Sequence, residues 1–398
     1  MEMNECNGRV FKENSVLSRK SLSESPCGRP STVHRRKKGL TTNNIVIKAN
    51  SPDVDDNLNI MTLEKLQSWD LDVLDFSKPM LIPLVEQMFI HYDLPAIFDF
   101  DAETLRAFIH AVMAGYRGNT FHNFHHAVQV VHSSFLILSV GGADEFLEDR
   151  DIFAILFAAL IHDLEHTGNN NDFEVRAQTQ LALKYNDKSI LENHSASCAF
   201  RLAKKTELNL FKNFNDDDFR YTRNAIIKIV LGTDMAHHLD VMKKIVDLSD
   251  NLDSTSPSPF DVEDADSREF LSCLIVHASD LSNPAHGNFE VVKKWSFRVC
   301  EEFSLQAKKE HEMGFPVTAF MDGLESELEI AKLQIGFVNY VALPLWKIMA
   351  ILLPKTAHLE QNCSRNARNW QSIVDLHKKF EEESTSSSSV TSSVVTDE

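Results

Sequence analysis

The sequence predicts one large all-α domain, a single compact multi-helical unit between irregular tails. The chain of 398 residues is 43% hydrophobic, enough apolar material for a sizeable core and too much for a disordered protein. It has only 13 glycines and 12 prolines, too few for a fold of many short strands joined by turns. Apolar residues recur at helical spacing through the block from 59 to 383, which is read as the domain.

Residues 1–58 are rich in Ser, Asn and basic side chains, show no helical period and are read as disordered. They contain Arg19-Lys20-Ser21-Leu22, a candidate kinase site, and Arg35-Arg36-Lys37-Lys38, a candidate electrostatic anchor. A solvated linker is the simpler reading of both. Residues 104–116 place Leu105, Phe108, Ile109, Val112 and Met113 on one helical stripe. Asp151 is expected to cap the helix carrying the apolar run 152–161, and Gly168-Asn169 to end it. Segments 225–231, 270–277, 291–303 and 330–353 continue the pattern, with Pro344 expected to kink or divide the last. Segments 253–260 and 314–323 read as loops, and the Ser/Thr-rich residues 384–398 as a disordered tail.

The net charge is −18, although residues 1–50 hold ten Lys/Arg against four Asp/Glu. So acidic a body is a poor partner for a long nucleic acid, yet it can take a small anion if metal ions supply local positive charge. The run 152–161 is the longest without a polar residue, half of what a membrane span needs, so no transmembrane segment is expected. No signal peptide is evident in the polar first thirty residues. The six cysteines form no CxxC pair, so neither a disulfide framework nor a cysteine zinc site is indicated, and a reducing, cytoplasmic setting is expected.

The chemistry lies in the histidines. His122 and His126 are four apart, as are His162 and His166, so on a helix each pair would share a face. Asp163 adds a hard oxygen able to bridge two ions. Asp280, before Asn283-Pro284, is expected at a helix end where a pocket can open. A lone histidine is usually a satisfied core residue, but three such segments together point to a metal site. His125 has no evident partner and is read as surface or supporting. Two His and two Asp suit Zn²⁺, and a second ion held mostly by water suits Mg²⁺ or Mn²⁺. Taken alone, His162-Asp163-Leu164-Glu165-His166 fits two patterns: HxxEH, an inverted zinc-peptidase motif with Glu165 as base, and HDxxH, with Asp163 as ligand. The second is preferred because it also uses His126 and Asp280.

The chain resembles, over about residues 60–375, the catalytic domain of the class I 3′,5′-cyclic nucleotide phosphodiesterases, whose fold is of the HD type. The motifs are Tyr116-Arg117, Phe121-His122-Asn123-Phe124-His125-His126, Leu160-Ile161-His162-Asp163-Leu164-Glu165-His166-Thr167-Gly168, Glu192-Asn193-His194, Thr233-Asp234, Asp280-Leu281-Ser282-Asn283-Pro284 and Gln334-Ile335-Gly336-Phe337. The resemblance implies hydrolysis of a cyclic nucleotide to the 5′-monophosphate by a hydroxide bridging two metals. His126, His162, Asp163 and Asp280 match the zinc ligands. His166, Glu192 and Thr233 match holders of the second metal's waters. His122 matches the proton donor to O3′, and Glu302 stands where its orienting carboxylate is expected. Asn283 and Gln334 match base-contacting positions; Phe337, Val299 and Phe303 match an apolar clamp on the base, with ordinary helix core as the plain alternative for Val299 and Phe303. Phe121 replaces the usual tyrosine, and Ser195 and Ser279 also depart from the pattern, but no metal ligand is missing. Segment 166–173 is similar to the calmodulin-stimulated subgroup, Gly314-Phe315-Pro316-Val317 to the cGMP-specific one and Asn283-Pro284 to the cAMP-selective ones; the expected preference is cAMP. Such enzymes often form homodimers.

Overall fold

The computed structural model describes residues 60–252 and 259–391 and the isolated pair 45–46. The candidate kinase site, the basic run and most of loop 253–260 lie outside the described residues. Ile45–Val46 (β1) and Ile60–Met61 (β2) pair antiparallel, Ile45 opposite Met61. This pairing crosses the boundary at 58, where the sequence shows no regular structure; its residues are mostly β-branched and suit a strand.

All else that is regular is helical. Helices α1 (Leu63–Leu66), α2 (Lys78–His91), α3 (Leu94–Ile97) and α4 (Ala102–Gly115) lead to α5 (Phe124–Ser139) and α6 (Asp149–Ile161). Next come α7 (Asn171–Arg176), α8 (Gln180–Tyr185), α9 (Ile190–Ala203), α10 (Asp216–Leu231) and α11 (His238–Asp250). Then α12 (Ala265–Asp280), α13 (Phe289–Met313), α14 (Glu327–Phe337), α15 (Leu343–Leu352) and α16 (Ala357–Thr391) complete the domain.

Helix α6 is the axis of the core. Every residue from Asp151 to Ile161 is buried, and α5, α10 and α12 pack around it. A helix apolar on all sides has no face to offer water, so it must lie centrally. Its cap differs from the expectation. Glu148 is the N-cap, and Asp151 closes a capping box by accepting from Glu148 N at 3.0 Å. The helix also stops at Ile161, well before Gly168.

Pro344 stands in the first turn of α15, and its segment is divided just before it. A π-helical stretch, Val338–Ala342, lies between α14 and α15, and at the first turn of α15 the proline's missing N–H costs no intrahelical bond. Taken together, Glu327–Leu352 is long and apolar enough to cross a membrane by length and composition, with 33% of its most apolar window buried. Lys332, Gln334, Asn339 and Lys347 interrupt it, so it is not an unbroken apolar run. Here α16 packs along both of its halves. Helix α16 itself runs to Thr391, past the boundary drawn at 384; residues 392–398 lie outside the described residues.

Candidate metal and catalytic centre

Three helices of the core bring their ends together. His126 lies in the first turn of α5, whose N-cap Asn123 accepts from His125 N at 2.9 Å. His162 is the C-cap of α6, and Asp280 is the last residue of α12. The helix ends are where backbone geometry lets neighbouring side chains converge instead of spreading around a cylinder.

The i,i+4 reading of the two histidine pairs is therefore corrected. His122 precedes α5 and His166 follows α6, so neither pair shares a helix face. After His162 the chain turns: His166 N donates to Asp163 O, Glu165 takes a left-handed conformation (φ 65°) and Gly168 another (φ 76°). At Gly168 a side chain would be strained whatever the space, and its Cβ would meet Asn119 Oδ1 at 3.2 Å. The result is two clusters instead of two stripes.

In the first cluster, His126 Nε2 lies 3.0 Å from Asp280 Oδ1 and 3.4 Å from Asp163 Oδ2. His162 Nε2 lies 3.1 Å from Asp163 Oδ2, 3.5 Å from Asp280 Oδ1 and 3.3 Å from His126 Nε2. Metal–ligand bonds of about 2.1 Å place neighbouring donors about 3.0 Å apart in an octahedron and about 3.4 Å in a tetrahedron. The two imidazole nitrogens thus lie at polyhedron-edge distances from each other and from both carboxylates, donor atoms of His126, His162 and Asp280 all fall within 4.8 Å of one another, and imidazoles with carboxylates suit a borderline divalent ion. His162 Nδ1 is held at 3.0 Å by Ala159 O, which aims Nε2 at the cluster. His126 Nδ1 is buried with no partner among the described residues. Burial works to raise the Asp163 carboxyl, but the His162 and His122 charges outweigh it and hold the group well below the usual range, ionised and fit to bind a cation.

The second cluster is His122, His166 and Glu302. Glu302 is buried on α13 and accepts from Phe121 N at 2.8 Å and His122 N at 3.1 Å, while its other oxygen meets His122 Nδ1. Burial opposes a charged His122, but Glu302 and then Asp163 overcome it and raise the ring to about 9. The reciprocal attraction pulls Glu302 down to about 2 against its burial. His166 stacks on His122 at 4.0 Å between ring centroids, and burial followed by the His122 charge lowers it to about 3. Gly168 N donates to His166 Nδ1 at 3.1 Å, so the neutral ring carries its proton on Nε2. A ring with an N–H to offer is better made to hold water than to bind metal directly.

Glu192 on α9 is half-buried, and burial followed by the Asp234 carboxylate raises it to about 7. Two carboxylates pressed together in this way mark a place suited to positive charge. Thr233, beside Asp234, is buried and donates to Val230 O at 2.8 Å.

Among the base-side residues, Val299 and Phe303 flank Glu302 on α13, and Gln334 is buried on α14, which packs against α13. Val299, Phe303 and Phe337 are half-buried; Phe303 meets Phe320 edge-on, with centroids 5.6 Å apart. Asn283 begins the short turn after α12, and its Oδ1 is buried without a partner among the described residues.

Glu165 turns away from both clusters to His194, Oε2 to Nε2 at 2.9 Å, which removes the carboxylate that the peptidase pattern needs as base. His125 is anchored, with Nε2 2.9 Å from Phe76 O, so it ties α5 to the preceding chain. Sequence reasoning missed Asn119, whose Nδ2 donates to His122 O at 3.0 Å and His166 O at 2.9 Å and so clips the two loops together. It also missed Asn171, which donates to both Glu192 oxygens at 3.2 and 3.0 Å. The one signal for Asn119 in the sequence is its place three residues before His122.

Residues 121–363 match the family described as 3′5′-cyclic nucleotide phosphodiesterase. The chain is 37% identical over 322 residues to the 3′,5′-cyclic-nucleotide phosphodiesterase regA of Dictyostelium discoideum, covering 80% of this chain and 39% of that protein. It is 31% identical over 293 residues to the human high affinity cGMP-specific 3′,5′-cyclic phosphodiesterase 9A, covering 74% of this chain and 48% of that protein. The chain spans less than half the length of these two relatives. The crystal structure of the phosphodiesterase domain of the RhoPDE fusion protein from Salpingoeca rosetta superposes with a TM-score of 0.74 at 34% identity, over 79% of this chain and 97% of that one.

Proposed function

This chain belongs to the 3′,5′-cyclic nucleotide phosphodiesterase family, and from that membership we propose that it hydrolyses a 3′,5′-cyclic nucleotide to the nucleoside 5′-monophosphate. The observation that carries the proposal is the placement of His126 Nε2 and His162 Nε2 at 3.0–3.5 Å from each other and from the Asp163 and Asp280 carboxylates, beside the His122–Glu302 pair.

In this reading His126, His162, Asp163 and Asp280 hold a Zn²⁺ ion. Asp163 would also serve a second ion, Mg²⁺ or Mn²⁺, with His166, Glu192 and Thr233 as the residues that would hold its water. Such ions supply Lewis acidity toward phosphoryl oxygens and lower the pKa of water. The protein's own part is proton delivery. His122, charged at neutral pH and oriented through Nδ1 by Glu302, presents Nε2–H toward the departing O3′ and donates as the P–O3′ bond breaks. Glu302 keeps the ring in that orientation and stabilises its charge.

Gln334 binds the base edge, with Phe337, Val299 and Phe303 forming its apolar walls. The proposed preference is cAMP. Asn283 Oδ1 is a buried acceptor lacking a donor, and adenine offers an amino group at its six position where guanine has a carbonyl. We further propose a reducing, cytoplasmic setting, supported by Cys198, Cys273, Cys300 and Cys363, which are all unpaired thiols. Homodimer formation and kinase control of Ser21 complete the proposal.

A steady-state assay with Mg²⁺ and either cAMP or cGMP tests this reading. Release of 5′-AMP at a higher kcat/KM than 5′-GMP is expected. Nucleotide binding without any 5′-monophosphate would make the chain a non-catalytic binder, and a cGMP preference would overturn the specificity alone.

A further inference from the structure

Behind the 162–168 turn, facing away from the two catalytic clusters, a third set of donors converges. His194 and Cys198 stand four residues apart on α9 and so share one helix face. Cys198 Sγ lies 3.4 Å from His194 Nε2, which in turn lies 2.9 Å from Glu165 Oε2. One donor atom from each of the three residues fits within 4.8 Å of the other two. Around a tetrahedral zinc ion, S···N and N···O separations are about 3.6 and 3.4 Å, so small rotations of these side chains complete the geometry. His194 and Cys198 are buried, whereas the Glu165 side chain is 40% exposed.

Two of the three donors, Glu165 and Cys198, line a recess of about 250 Å³ between α4 and α9, together with Ala111, Gly115, Arg201 and Lys205. An ion therefore has an entry path and an open coordination position. Glu165 is held at φ 65°, an uncommon conformation for a residue other than glycine, and held conformations of this kind gather at ligand sites. Arg201 Nη2 donates to Cys198 Sγ at 2.7 Å and can keep that contact to a metal-bound thiolate. Burial, and then the Glu165 charge, push the free Cys198 thiol up to about 11, so metal uptake displaces a proton.

We propose that Glu165, His194 and Cys198 form a third metal site, separate from the catalytic centre, that takes a thiophilic divalent ion such as Zn²⁺. Its consequence is mechanical. Glu165 lies between Asp163 and His166, so an ion at this site ties α9 to the turn that positions both.

Cadmium titration of the full chain tests the site without reference to turnover. The catalytic clusters contain no sulfur, so an ultraviolet sulfur-to-cadmium charge-transfer band reports a cysteine ligand alone. The wild type is expected to develop this band to saturation, with Zn²⁺ bleaching it by competition. Cys198→Ser should lose it, Asp280→Asn should keep it, and the exposed substitution Glu165→Gln should raise the Cd²⁺ midpoint by roughly 10–100-fold. No band in the wild type, a band surviving in Cys198→Ser, or an unmoved midpoint in Glu165→Gln would each overturn the site. Far-ultraviolet circular dichroism of each variant separates loss of metal from loss of fold.

Discussion

On one side of the candidate centre, His126 and His162 stand at helix ends with their Nε2 atoms 3.0–3.5 Å from the carboxylate oxygens of Asp163 and Asp280. On the other side, Val299, Phe303, Gln334 and Phe337 stand along the lengths of α13 and α14. The polar side is held by short, directional contacts among charged groups, where a small displacement removes a ligand. The apolar side is held by helix packing, which is non-directional and tolerates adjustment. Chemistry should therefore fail steeply on the first side and recognition should fade gradually on the second.

The largest effect is expected from His162→Ala or Asp280→Ala. Either should lower turnover by roughly 10³-fold or more, the scale of several kcal/mol of lost transition-state stabilisation, and should deplete bound metal. Metal analysis beside the kinetic assay checks both. A variant that keeps full metal content and activity would erase the contrast between the two sides.

His122→Ala comes next. Loss of a general acid should cost about 10²–10⁴ in kcat while both metals stay bound. Metal loss in this variant would move His122 from proton donor to ligand.

Glu302→Gln sharpens the same side through pH. Burial lowers the His122 pKa and Glu302 raises it, so removing the carboxylate shifts the alkaline limb of kcat to lower pH. An unmoved limb would show that Glu302 does not set the His122 charge. The pair has a stability signature as well. His122, raised from 6.5 to about 9, contributes fully below pH 6.5 and loses its contribution as pH rises through about 9. Glu302, lowered from 4.5 to about 2, contributes above pH 4.5 and loses its contribution as pH falls through about 2.

The smallest effect belongs to the apolar side. Gln334→Ala should raise KM about 2–10-fold, the worth of one neutral hydrogen bond, with kcat nearly kept. A collapse of kcat in this variant would place Gln334 in the chemistry and dissolve the distinction.

The same contrast explains what was legible in advance. His126, His162, Asp163 and Asp280 are legible because metal chemistry demands particular residue types, and such types next to one another are rare by chance. The base side is harder to see, since Val299 and Phe303 look the same as core in any helix. Asn119 and Asn171 escaped because a single asparagine in a turn usually serves only the turn. His122 and His166 lie beside the candidate centre but not on the shared helix faces read from the sequence, because spacing by four implies a shared face only while the helix lasts.

By itself, then, the amino-acid sequence determined the helical class, the buried axis 152–161 and the set of candidate polar ligands, all of which follow from composition, period and residue chemistry. Tertiary structure alone decided that the helices stop at Ile161 and begin at Phe124, that Glu302 reaches His122 from 180 residues away, and that Glu165 leaves the catalytic side for His194. Those outcomes depend on left-handed turns at Glu165 and Gly168 and on the packing of distant helices, which no local pattern encodes.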